Sequence, residues 1–317
     1  MRIVLALVLC AALSALAQTF PSKPVRLIVP FPPGGAVDYY ARAVQSRLAE
    51  TLGQPILIEN RAGAGGMVGA ELVAKAPPDG HTLLVGNIAA LATNVGVYPK
   101  MPYDPAKDFA PVIRTVAVNY VMAVHSSVPA RSVAEFIAYA KANPGKLSYG
   151  SAGSGSAPHL ATELFKQRTG IDVLHVPFKG GGPMVTDLLG GQIQMVIADQ
   201  ANLMPHVKAG RLRALGVGTL ERSPTYPELP TIAEAGLPGF EARAWQGVVG
   251  PAGVPVGTVN LLNGAFAKVM AMPEVHQRLL EGGLDPIPGT PREFAEFIRA
   301  EIAKWSKVAK DVGARVD

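Results

Sequence analysis

Val25 to Arg42 reads V-R-L-I-V-P-F-P-P-G-G-A-V-D-Y-Y-A-R, and the change of period inside it decides the fold. Val25, Leu27, Ile28 and Val29 form a nearly continuous apolar run, as in a strand buried on both faces of a parallel sheet. Pro30, Pro32 and Pro33 withhold backbone donors and end it. Gly34 and Gly35 allow a tight turn. From Ala36 the apolar spacing becomes helical, with Val37, Tyr40, Ala41, Val44, Leu48 and Leu52 on one stripe. Strand, glycine turn and helix leave the unpaired N–H groups of a first helical turn at a crevice, where an anion is stabilised.

The arrangement recurs. Leu147, Ser148 and Tyr149 run into Gly150-Ser151-Ala152-Gly153-Ser154-Gly155-Ser156 and then Ala157-Pro158-His159-Leu160. Ser156 is suited to an N-cap, and Pro158 to the first turn, where its missing N–H costs nothing. Two such turns, more than a hundred residues apart, imply two halves facing one ligand.

Between and beyond them the pattern alternates. Pro55–Asn60 reads as a second strand, followed by Arg61–Gly66 and a helix carrying Met67, Val68, Leu72 and Val73. Thr82–Val85 is a third strand, ending at Gly86-Asn87. This alternation predicts a parallel α/β sheet with its strand ends and their loops on one edge. Phe109–Ser126 reads as a long extended segment crossing between lobes. Ser132-Val133-Ala134-Glu135 is a capping box. Strands are expected at Leu147–Tyr149, Val173–Val176, Met195–Ala198 and Leu212–Val217, with surface punctuation from Pro224 to Pro238. A helix is expected over Val256–Met270, and Thr290-Pro291-Arg292-Glu293 opens a last helix that packs back on the first lobe.

The length of 317 residues suffices for two domains with cores. Arg2 precedes an apolar run from Ile3 to Ala17, broken only by Ser14 and ending Ala-Leu-Ala. That is the form of a secretory signal peptide cleaved before Gln18, and it is short for a membrane span. Cys10 lies within the run and is the chain's only cysteine. Leu9 before it is not the small residue a lipidation site needs, so the mature chain is expected to have no disulfide and no thiol chemistry. Without Arg2 the chain keeps 28 basic against 24 acidic residues, a mild positive balance that favours anionic solutes. The basic residues form no stripe with aromatics, which argues against nucleic-acid binding. There is no G-x-S-x-G, no H-E-x-x-H, no G-K-[ST] and no complete dinucleotide fingerprint. A hydrolase is therefore the lesser alternative, and no cofactor or metal is expected.

Several pieces together resemble the Bug/TctC family of extracytoplasmic solute receptors. They are Pro30–Arg42, E-N-R-A-G-A-G-G at Glu59–Gly66, M-P-Y-D-P-A-K-D-F-A-P-V at Met101–Val112 and S-Y-G-S-A-G-S-G-S-A-P-H-L at Ser148–Leu160. H-V-P-F-K-G-G-G-P at His175–Pro183, D-L-L-G-G-Q at Asp187–Gln192 and L-P-T-I-A-E-A-G-L-P-G-F at Leu229–Phe240 complete the set. They follow one another through essentially the whole mature chain. The resemblance implies a type II periplasmic-binding-protein fold, two Rossmann-like lobes joined by a crossover hinge. On that reading residues 1–17 are the signal peptide, 18–122 plus 222–317 one lobe and 123–221 the other. It also implies a periplasmic, monomeric receptor that captures a small carboxylate (an organic acid, acidic amino acid or aromatic acid) and delivers it to the membrane permease subunits of a tripartite tricarboxylate transporter. A receptor that reports its ligand to a signalling system would use the same fold.

The expected ligand contacts are Pro33, Gly34, Gly35, Ala36 and Asp38 in the first loop and Asn87 at the third strand end. In the second lobe they are Ser151, Ser154, Ser156, His159, Lys179, Gly180 and Asp199. Each has a plainer reading. Asp38 can complement the helix dipole; taken as a selectivity element, it stands outside the fold's support. The serines can be turn and cap residues, and His159 a packed residue behind the site. Lys179 can pair a distal carboxylate or be solvated. Trp245 can be core or a wall near the crossover. Ala198-Asp199-Gln200, more polar than the family pattern, leaves open a plain dicarboxylate or a ligand with an amino or ring nitrogen.

Overall fold

The computed structural model describes residues 20–178, 180–223, 226–311 and 313–314. The signal-peptide reading at 1–17 lies outside the described residues. Among the described residues, no helix is long and apolar enough to cross a membrane.

The first half runs β1 (Val25–Val29), α1 (Ala36–Leu52), β2 (Ile56–Asn60), α2 (Met67–Ala74), β3 (Thr82–Asn87) and a short α3 (Asn94–Val97). Its chain then enters β4 (Phe109–His125). The second half contributes α4 (Val133–Ala142), β5 (Ser148–Ser151), α5 (Ala157–Thr169) and β6 (Leu174–Pro177). It continues with α6 (Gly181–Leu189), β7 (Met195–Asp199), α7 (Gln200–Lys208) and β8 (Leu212–Val217). The chain returns through β9 (Arg243–Pro251), α8 (Val256–Met270), α9 (Pro273–Glu281), β10 (Leu284–Pro286) and α10 (Pro291–Asp311).

Among the described residues the strands form one curled sheet in the order β2-β1-β3-β9-β4-β7-β5-β6, with β10 and β8 paired to β4 off this path. β1 lies parallel between β2 and β3, and its four apolar residues are buried while Arg26 is half-buried. β5 lies parallel between β6 and β7 in the same way. β4 belongs to both halves. From Phe109 to Asn119 it pairs with β9, and from Tyr120 to Val124 with β7. The change of partner between Asn119 and Tyr120 is the crossover. Beside it the return chain bonds back, Gly218 N–H to Tyr120 O and Ala242 N–H to Gly218 O, both at 2.8 Å.

β9 is a central strand that the sequence pattern does not announce. Arg243–Pro251 carries two glycines and follows a proline-rich stretch, and its strand character depends on the antiparallel slot between β3 and β4. That slot decides Trp245, which is core: 2 % exposed, edge-on to Phe294 and Phe297. α10 packs back on the first half, as its apolar stripe leads one to expect, and a buried carboxylate fastens it. Glu301 Oε2 accepts the indole N–H of Trp245 at 2.8 Å and that of Trp305 at 2.9 Å. Removing it leaves two buried donors without an acceptor, and each such group costs about 1–3 kcal/mol. We expect Glu301→Leu to lower stability by about 3 kcal/mol and Glu301→Gln by about 1 kcal/mol, read from denaturant midpoints.

Candidate functional site

The turn after β1 is set by α1. Gly34 has φ +90°, and Gly35 caps α1 with no side-chain bond to the helix end. Pro33, Gly34 and Gly35 are exposed and Ala36 is half-buried. Among the described residues the N–H groups of Gly35, Ala36 and Val37 have no acceptor. They are the donors a helix N-terminus offers to an anion.

Asp38 does not share that exposure. It is 3 % exposed. Its carboxylate accepts Gly34 N–H at 3.0 Å, Arg42 Nε–H at 2.9 Å and Asn60 Nδ2–H at 3.0 Å. Asn60 also donates to Phe31 O at 3.0 Å. Burial pulls the Asp38 carboxyl upward, but the bonds from Arg42, Gly34 and Asn60 outweigh it and hold it below its ordinary value. This corrects the expectation that Asp38 stands outside the fold's support: the third helical residue reaches back and fixes the turn that precedes it. An amide has one acceptor where three donors converge. We expect Asp38→Asn to cost about 2 kcal/mol of stability in the ligand-free protein, against less than about 1 kcal/mol for a pure helix-dipole role. Thermal and denaturant unfolding check this.

The matching turn after β5 is also held from behind. Ser156 caps α5 and accepts His159 N–H. Ser151 is fully buried; its hydroxyl lies 3.0 Å from Gly153 O, 3.2 Å from Gly153 N and 2.7 Å from His175 Nε2. His159 is buried, and its Nδ1 accepts Gly155 N–H at 3.0 Å. Ser154 is exposed, and the N–H groups of Ala152, Ser154 and Ala157 have no acceptor among the described residues.

The second turn packs on α3, which is tied in turn to the Arg61–Gly66 loop. Asn94 Nδ2 donates to Gly65 O at 3.1 Å, tying α3 to the Arg61–Gly66 loop. Three residues on, Val97 fills the space in front of Gly155, where a Cβ would stand 2.4 Å from Val97 Cγ1. A Cβ on Gly282 would stand 2.2 Å from Tyr39 Cε1 of α1, and one on Gly283 would stand 2.8 Å from Ala201 Cβ of α7. The start of α1 is thereby linked to the start of α7, where Asp199 is the cap. Asn87 sits half-buried at the end of β3 and accepts Ala90 N–H at 3.1 Å. Gly180 caps α6 without a side-chain bond. Lys179 lies outside the described residues. Of the loops that the sequence singles out, packing links the start of α1 to that of α7 and the second turn to α3. Sequence reasoning missed the bracing by Asn60, Arg42 and His175 behind them. The H-V-P segment and the Asn60 strand end carried that signal.

The profile of the tripartite tricarboxylate transporter family receptors matches residues 40–314. This chain belongs to that family. Protein BugT of Bordetella pertussis is 38 % identical over 301 residues, covering 95 % of this chain and 92 % of BugT. A Rhodopseudomonas palustris protein solved with adipate is 42 % identical with a TM-score of 0.86, over 94 % of this chain and 100 % of that one. MatC from the same organism, solved with bound malate, is 36 % identical with a TM-score of 0.80, over 91 % and 99 %. The architecture is that of the type II periplasmic binding proteins.

In this receptor Asp199 is the acid that lacks compensation. It ends β7 opposite Tyr120, makes no cap bond to α7 and is half-buried. Burial pushes its carboxyl up to about 6. A raised carboxyl binds its proton more tightly folded than unfolded, so its contribution is present below pH about 4 and lost as pH rises through about 6. We expect Asp199→Asn to be more stable than wild type by about 2 kcal/mol above pH 6, the gap closing below pH about 4, in unfolding curves across pH.

Proposed function

We propose that this protein is a periplasmic receptor that captures a small carboxylate between two lobes and delivers it to a tripartite tricarboxylate transporter. The observation that carries the reading is the pair of turns, one from each half, that each present helix N-terminal N–H groups without acceptors among the described residues. The carboxylate is shared between Gly35, Ala36 and Val37 on one side and Ala152, Ser154 and Ala157 on the other. Asn87, Gly180 and Asp199 line the remainder. The relatives solved with adipate and malate support a ligand of this class. Residues 18–122 with 222–317 form one lobe and 123–221 the other, the crossover at Asn119–Tyr120 serving as hinge. The chain is exported by its first seventeen residues, acts as a monomer and does not chemically alter what it binds.

The energetics demand both loops. A charge-assisted hydrogen bond is worth about 1.5–3 kcal/mol and a helix end up to about 2. Micromolar affinity needs about 8 kcal/mol after association and closure costs, beyond what one turn supplies.

Calorimetry and small-angle scattering with adipate, malate and the diamide of adipate test the reading. The acids are expected to bind and to reduce the radius of gyration, the diamide to bind at least about a hundredfold more weakly, the worth of two charge-assisted bonds. Equal binding of diamide and acid would refute the anion site, and tight binding without compaction would refute the two-lobe site. Asp199 reports the ligand's other end. Affinity for a plain dicarboxylate should fall as pH rises through about 6, whereas affinity for an amino acid should rise.

A further inference from the structure

Behind the second turn stands a cluster of three nearly parallel rings. His159 from α5 lies 4.0 Å from His175 of β6, with 13° between the ring planes. The Tyr149 ring of β5 lies 4.9 Å from that of His175 and 6.4 Å from that of His159, nearly parallel to both. The Tyr149 hydroxyl donates to Glu163, which also receives Lys166 Nζ at 2.8 Å, and Lys166 lies over the Tyr149 ring at 5.5 Å. Each imidazole has one polar contact into the Gly150–Ser156 turn, and neither is needed to close a strand or a helix.

The contacts fix the tautomers. His159 Nδ1 accepts Gly155 N–H, so its proton is on Nε2. Ser151 has one hydroxyl proton. Its three contacts are all satisfied when that proton goes to Gly153 O, while Gly153 N–H and His175 Nε2–H donate to Oγ. Two neutral rings stacked at 4.0 Å fit this arrangement; two imidazolium rings would repel, and a proton on His159 Nδ1 would face Gly155 N–H.

Resting on the carboxylate reading of this turn, we propose that the stacked His159–His175 pair is a positioning element for ligand binding. His159 turns the Gly155 N–H inward and His175 locks Ser151, which leaves Ala152, Ser154 and Ala157 as the donors directed to the ligand. The pair does not touch the ligand. It keeps the turn in its receiving shape before the ligand arrives, so the ordering cost is not taken from the binding energy. The groups that bear on the rings are Glu163 and Lys166 of α5 and Tyr149 of β5, while Val97 of α3, which packs on Gly155, is apolar. Burial holds both imidazoles below their ordinary value, His175 down to about 4, with the neighbouring His159 adding to the shift. A depressed base leaves the paired, neutral state complete above pH about 6.5 and erodes it as pH falls towards 4.

The test pairs truncation with mimicry. The amide of His159→Asn can place an oxygen where Nδ1 stands, and the amide of His175→Gln an N–H where Nε2 stands. By calorimetry with adipate and malate at pH 7.5, His159→Ala and His175→Ala should each bind at least about tenfold more weakly, the worth of one lost hydrogen bond. His159→Asn and His175→Gln should stay within about threefold of wild type. The loss of affinity between pH 6.5 and 4 should flatten in the Asn/Gln double variant, and the opposing Asp199 limb should persist. Alanine variants that bind like wild type, or mimics no better than alanine, would overturn the proposal. A ligand-free measurement separates its failure from that of the carboxylate reading. Nitrogen-15 NMR at pH 7.5 should give an unprotonated, hydrogen-bonded His159 Nδ1 and a Gly155 amide protected from exchange, with protection lost in His159→Ala and kept in His159→Asn. Should neither acid bind the wild type, the carboxylate reading fails and these spectra still decide the pair. An exchange rate at Gly155 indifferent to residue 159, or a protonated Nδ1, would end it.

Discussion

The backbone groups of a long buried strand must all find partners, and β4 meets that demand by pairing with two different sets of strands. Its first eleven residues complete a sheet with β9 and β10, and its last ones complete another stretch with β7 and β8. One strand thus holds both halves in a common sheet, with β1–β3 ending toward the crossover on one side and β5–β7 on the other. Every loop that can reach a shared ligand owes its place to that pairing. Tyr120, paired with Asp199, and Asn119, paired with Arg243, mark where allegiance changes.

Around this crossover the two candidate ligand turns follow one logic with different chemistry. Each uses inward bonds to keep its shape and leaves outward N–H groups for an anion. In the first turn a buried carboxylate gathers donors from Gly34, Arg42 and Asn60. In the second, two neutral imidazoles hold Gly155 and Ser151. A carboxylate brace suits the first because Arg42 compensates its charge at 2.9 Å. Among stacked rings a charge would face burial without such a partner, and neutral histidines avoid it.

Asp199 stands apart from both. It is placed at a strand end beside a helix start, with burial raising its carboxyl to about 6 and no cap bond to lower it. Uncompensated acids of this kind concentrate where a ligand completes the electrostatics. Under the proposed carboxylate reading, that position would separate acids by what they carry opposite the shared carboxylate.

Much of this was legible in the sequence. The strand–glycine–helix period change at Val25–Arg42, its echo at Leu147–Leu160, the long β4 and the capping signals at Ser132, Ser156 and Thr290 depend on near neighbours in the chain. Local sterics and orphan N–H groups decide such features. β9 was hidden because Arg243–Pro251 becomes a strand only between two others that lie far away in sequence. Asp38 was misjudged for a related reason. Its neighbours in the chain define a helix terminus, but Asn60 arrives from β2 and removes the carboxylate from the opening. For Ser151 and His159 the sequence left ligand contact and turn or packing roles open; the structure buries both, Ser151 against His175 of another strand and His159 against Gly155. Sequence by itself determined where strands stop and helices begin, because that is set within a few residues. Which polar groups at those boundaries face inward and which stay available was decided only by tertiary structure, because a hydrogen bond is assigned by whatever partner folding brings within 3 Å.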